Sequence, residues 1–159
     1  LHYPLRRQRQ MCIRDSYCAV NHMLRLSLDR LSRNYDYVVI DCEAGMEHIS
    51  RQTTRDIDIL LIISDLTQKG VTTAARMKEL IGELGTRVGK IYLVVNRAPD
   101  GLPPEIMKAI DSYGLELLAT VPEDPMLAVL EVKGTPITEL PPNSPLQLKA
   151  REIAGKLGL

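Results

Sequence analysis

Apolar residues fall into two patterns along this chain. Val38–Ile40, Ile57–Ile63, Ile91–Val95 and Leu115–Val121 are runs that are almost unbroken by polar residues. Such runs predict strands buried on both faces of a parallel sheet. Between them apolar residues recur every three or four positions. Val20, Met23, Leu24, Leu28 and Leu31 predict an amphipathic helix over roughly Asn21–Ser32, ending before Asn34. Ala74, Met77, Leu80, Ile81 and Leu84 predict another over roughly Val71–Leu84, with Gly85 as its stop. Pro103-Pro104 opens a third, with Ile106, Ile110 and Tyr113 facing inward and Gly114 closing it. A short helix over Met126–Val132, a turn-rich join over Pro141–Pro145 and a closing helix over Leu146–Leu157 complete the order. Strands alternating with helices at these spacings imply right-handed crossovers. The expected fold class is therefore α/β, a parallel sheet flanked by helices.

Polar residues stand where the runs end, and open α/β sheets bind ligands at the carboxyl ends of their strands. Val38–Ile40 stops at Asp41, and Gly45 follows four residues later, where a missing Cβ would let a backbone N–H approach a phosphate. The same residues also read as a strand followed by a turn, with Asp41 capping the next helix. The second run ends at Ser64-Asp65, the third at Asn96-Arg97 and the fourth at Pro122-Glu123-Asp124. An asparagine amide donates and accepts, as adenine N7 and N6 require. Asn96 is equally a turn residue before Ala98-Pro99-Asp100-Gly101.

Composition narrows the partners. Twenty basic and twenty acidic residues cancel over 159 positions, so no global charge favours DNA or an anionic membrane. Trp and Phe are absent, which removes the usual stacking platforms for single-stranded nucleic acid. Three cysteines make no disulfide framework, and no apolar run reaches membrane-spanning length. These features suit a cytoplasmic protein that engages neither nucleic acid nor membrane.

Asp41-Cys42-Glu43-Ala44-Gly45-Met46-Glu47-His48-Ile49-Ser50-Arg51 resembles the Walker B and switch II segment of the MinD/ParA/nitrogenase-iron-protein class of P-loop ATPases. Glu43-Ala44-Gly45 followed by Glu47-His48 is most similar to the accessory ATPases of carbon monoxide dehydrogenase, the CooC type that serves nickel insertion. The similarity runs from about Tyr17 to the carboxyl end. It implies the C-terminal part of a P-loop domain that binds ATP with Mg²⁺ between two subunits. Asp41 would hold a metal-bound water, the Gly45 N–H would sense the γ-phosphate, and Glu43 and Glu47 would position water or meet the other subunit, though both acids equally read as solvated residues at a helix start. Asn96 and Arg97, with the Pro122-Glu123-Asp124 loop, would contact the base, the loop mainly through its backbone. The resemblance further implies a homodimer and a client metalloenzyme such as carbon monoxide dehydrogenase. Septum-site and partition ATPases of the same class are the alternative. A third reading is a non-catalytic α/β binding module.

The start of the chain fits none of this. Leu1–Ser16 is basic and without periodicity, either a disordered arm or a non-native leader. We read Met11-Cys12-Ile13-Arg14-Asp15-Ser16 as a translated sequencing-adapter scar and confine the partial ATPase domain to residues 17–159. No G-x-x-x-x-G-K-[ST] occurs, so the class's phosphate loop lies outside this sequence, and negligible ATPase activity is expected of the chain alone. The resemblance also places a Cys-x-Cys pair here, for Ni²⁺ or Zn²⁺ at a dimer interface. Cys18 holds its second position and Ser16 stands at its first, so one thiolate per chain remains and the site is crippled; by spacing alone Cys18 and His22 also read as a small buried thiol beside an exposed histidine.

Overall fold

The computed structural model describes residues 23, 26, 27, 30, 31, 33–42, 56–98 and 101–159. The chain divides into two compact units, Leu1–Asp56 and Ile57–Leu159; the expected leader, residues 1–16, lies outside the described residues.

In the first unit residues 23, 26, 27, 30 and 31 are helical, as the periodicity predicts. Asn34 ends that helix: its N–H donates to Leu31 O at 2.9 Å and its Nδ2 to Arg30 O at 3.3 Å. Met23 and Leu31, expected to face inward, are exposed. The run Val38–Ile40 departs further from expectation. It is not a strand, and Val39 is 86% exposed. An apolar run sets only a propensity, and a ladder of hydrogen bonds to a neighbour makes the strand. The described sheet does not include this run.

The second unit is built on strands β1 (Asp56–Ser64), β2 (Arg87–Asn96) and β3 (Leu117–Val121), in spatial order β1-β2-β3. The sheet is parallel and carries flanking helices, the expected class. Four helices follow the strands in turn: α1 (Gln68–Glu83), α2 (Pro104–Ser112), α3 (Pro125–Lys133) and α4 (Pro145–Leu157). A single 3₁₀ turn, Ile137–Glu139, lies in the linker before α4. Central β2 is the most deeply set strand, with Leu93, Val94 and Val95 at most 2% exposed. Edge strand β1 is shallower than a doubly buried strand, since Ile62 is buried while Ile63 is 58% exposed. Gly89 explains how closely β1 and β2 approach: a Cβ there would fall 2.6 Å from Asp58 O.

Helix ends follow local rules. Prolines 104, 125 and 145 each open a helix, where the lost N–H would have been unpaired anyway. Thr67, Asp124 and Ser144 supply side-chain N-caps. Gly134, at φ 64°, gives α3 its left-handed stop. Helix α1 buries Val71, Ala74, Ala75 and Ile81, a stripe rotated from the expected one, leaving Leu80 and Leu84 exposed. The rotation lets the small alanines pack closely while Lys78 spans to the turn after α2, donating to Gly114 O at 2.6 Å. Helix α4 packs on β3. There Lys156 donates to Leu118 O at 3.1 Å, giving an edge-strand carbonyl a partner.

Candidate functional site

Because β2 and β3 run parallel with Asn96 opposite Val121, the residues that follow both strands emerge at one edge. That register brings Asn96 and Arg97 beside Pro122, Glu123 and Asp124. The Ala98 N–H donates to Val121 O at 2.9 Å and fastens the two exits together.

Asn96 is exposed, and its Oδ1 accepts the Arg97 N–H at 3.0 Å. This bond uses one lone pair and orients the amide. A second lone pair and two N–H donors are the kind of capacity that pairs with an adenine edge. Arg97 has φ 54°, the sole non-glycine in the left-handed region among the described residues. Such a conformation costs about 1–3 kcal/mol and persists where surrounding contacts over-determine it. The Asn96 amide before it and the anchored Ala98 after it supply those contacts.

Asp124 behaves differently from its neighbour Glu123, which is exposed. It is 8% exposed, and both carboxylate oxygens are engaged. Oδ1 accepts the Met126 N–H at 3.0 Å, capping α3, and Oδ2 accepts the Leu146 N–H at 3.3 Å, in the first turn of α4. Burial raises its pKa. Hydrogen bonds from the Leu146 and Met126 N–H groups, the Ser144 hydroxyl and the Leu127 N–H outweigh that and hold the carboxyl below its ordinary range. The carboxylate is thus committed to two helix starts. Ser144, 6% exposed, completes the cluster by accepting the Gln147 N–H at 3.2 Å. Reading the sequence for strand ends passed over Ser144. Its signal is the Ser-Pro pair at a helix start.

Beside these, β1 ends at Ser64-Asp65. Asp65 Oδ1 accepts the Thr67 hydroxyl at 2.6 Å, and Thr67 Oγ1 accepts the Gly70 N–H at 2.9 Å. A Cβ at Gly70, in the first turn of α1, would overlap Asp65 Oδ1 and come within 2.6 Å of Ser64 Oγ, so a larger residue there would displace those two side chains.

In the first unit Asp41 is exposed. Partial burial, and then the Asp41 charge, push the Cys42 thiol above its ordinary value, so it stays protonated at neutral pH. Glu43, Gly45 and Cys18 lie outside the described residues. Among the described residues no three His, Cys, Asp or Glu side chains gather as metal ligands, and no helix is long and apolar enough to cross a membrane.

No family model matches the chain. An uncharacterized ATP-binding protein of Methanocaldococcus jannaschii is 40% identical over 145 residues, covering 89% of this chain and 56% of that protein. The carbon monoxide dehydrogenase accessory protein CooC of Rhodospirillum rubrum is 26% identical over 132 residues, 82% of this chain and 48% of that protein. Septum site-determining MinD proteins match at comparable identity. The chain thus spans about half the length of the curated relatives it matches. Among solved structures, the cell division ATPase MinD of Pyrococcus furiosus aligns with TM-score 0.66 and 22% identity, over 87% of this chain and 58% of that one. A ParA family ATPase from Chlorobium tepidum aligns with TM-score 0.69 and 17% identity, over 86% of this chain and 56% of that one. By sequence and by fold, the kinship of this chain is with the MinD/ParA class of P-loop ATPases, and it includes similarity to CooC.

Proposed function

We propose that the carboxyl edge of β2 and β3 is the base-reading half of an ATP site in a nucleotide-switched ATPase that serves metallocentre maturation, nickel insertion in particular. One observation carries the nucleotide part. Adjacent parallel strands release Asn96 and the Pro122–Asp124 loop at the same edge, with the Asn96 amide already oriented by the Arg97 N–H. In this reading Asn96 pairs with adenine, Arg97 lies beside it, and the backbone of Pro122 and Glu123 closes over the base.

Phosphate chemistry belongs to the other part of the reading. Asp41, an exposed carboxylate, is a hard oxygen ligand that fits Mg²⁺ through a retained water. Mg²⁺, when bound, neutralises phosphate charge. Gly45 senses the γ-phosphate, and Glu43 orients water or meets a second subunit. Catalysis of this kind rests on positioning and charge neutralisation. Loss of the γ-phosphate would release the segment after Asp41 and switch a homodimer between states.

The maturation role is supported by the motif from Asp41 to Arg51 and by the match to CooC. In that role Ni²⁺ or Zn²⁺ is cargo, held by Cys18 together with its counterpart in the other subunit, and carbon monoxide dehydrogenase or a related enzyme is the client. Septum-site or partition switching is the second reading, and the matches to MinD favour it.

The nucleotide reading is tested by Asn96→Ala in a calorimetric titration. ATP affinity should fall about tenfold, the scale of one bidentate amide–adenine pair, while GTP binding stays unchanged. An unchanged ATP affinity would end the assignment of Asn96 to the base.

A further inference from the structure

We infer that Asp124 is a positioning residue, one that makes helix α4 part of the base-reading loop by fastening both to a single buried carboxylate. The inference rests on the nucleotide reading and adds to it the element that holds the loop in place. Pro122 and Glu123 leave β3 with no side-chain anchor of their own among the bonds described, and the next residue, Asp124, carries the load. Its two oxygens reach helix starts that are far apart in sequence, Met126 N at 3.0 Å and Leu146 N at 3.3 Å. Ser144 stands in the same cluster, capping α4 through Gln147 N at 3.2 Å. Asp124, Ser144 and Ser64 are the buried polar residues among those described, so two of the three lie at this junction. The far end of α4 is tied to the same strand by the bond from Lys156 to Leu118 O at 3.1 Å. Helix α4 is therefore held to β3 at one end and to the loop after β3 at the other. Movement of its first turn would drag the Pro122–Glu123 backbone with it.

Chemistry sets what can replace Asp124. Every group that bonds it donates, the N–H groups of Met126, Leu127 and Leu146 and the Ser144 hydroxyl, so a group with two acceptor oxygens is needed to serve the starts of α3 and α4 together. A serine keeps the cap on Met126 N but has one oxygen and cannot also span to Leu146. Asp124→Ser thus separates capping of α3 from the tie to α4.

The test compares ATP and GTP affinity of the chain with those of Asp124→Ser, alongside backbone-resolved hydrogen exchange. We expect the wild type to prefer ATP, and Asp124→Ser to lose at least about fivefold of that preference. Exchange in residues 145–157 should rise, while 125–133 keep their protection. Ser144→Ala, which removes the hydroxyl between the two helices, should shift the preference the same way by less, and it decides the matter if Asp124→Ser does not fold. An equal loss for both nucleotides would reduce Asp124 to a structural residue and overturn the inference. An unchanged preference in both variants would overturn it as well, with the nucleotide reading intact. A wild type without preference for ATP would remove the nucleotide reading itself, and this inference with it.

Discussion

Asp124 shows how one carboxylate can look like a ligand contact in sequence and serve as a joint in structure. Its lowered pKa makes the joint sensitive to acid. A group whose folded pKa lies below its unfolded value adds stability that is complete above the unfolded value, about 4 for Asp. That stability is lost as pH falls through the lower folded value. Wild type should therefore have a higher urea midpoint than Asp124→Asn at pH 6, and the gap should close as pH drops below about 4. A gap that persists unchanged at pH 2.5 would mean that the ionised carboxylate is not what holds the two helices. Glu152 shifts the same way for a simpler reason. Hydrogen bonds from Lys149 and Lys156 pull it down to about 2, on an exposed face where salt screens them. From sequence, Asn96 and Asp124 were equally visible as polar residues after apolar runs. What separates them is burial and the distant partner Leu146, which no local pattern encodes.

At the scale of elements, legibility followed the hydrogen-bond partner. Helices were readable because their bonds are local: Pro145 opens α4 and Gly85 follows α1, as punctuation predicts. Strands depend on a neighbour. The runs at β1, β2 and β3 found one another, whereas Val38–Ile40, also unbroken by polar residues, lies outside the described sheet. Strand starts also differ from the apolar pattern, since β2 begins at Arg87 and extends beyond the apolar stretch that opens at Ile91. Two glycines test this account of the elements. Gly89→Ala forces a Cβ against the Asp58 carbonyl and should cost about 1–3 kcal/mol in urea unfolding. Gly82→Ala, inside α1 with open space around it, should instead gain about 0.5–1 kcal/mol. Equal effects at the two positions would mean that β1 and β2 do not approach as closely as described.

Across the whole molecule, the class and the fold were legible because a buried parallel sheet writes itself as apolar runs separated by helical periods. Kinship with ATP-binding proteins and the MinD/ParA fold agrees with that reading. The site was legible only in part. Asn96, Arg97 and the Pro122–Asp124 loop converge because parallel register places strand ends at one edge, while Asp41 belongs to the other compact unit. The central claim is that this edge reads adenine. Backbone amide shifts of the isotopically labelled chain, followed during parallel titrations with ATP and GTP, test it most directly. The account predicts saturable shifts at Asn96, Arg97, Glu123 and Asp124 with ATP, and far weaker ones with GTP. Shifts that are equal for the two nucleotides, or confined to residues away from that edge, would contradict it.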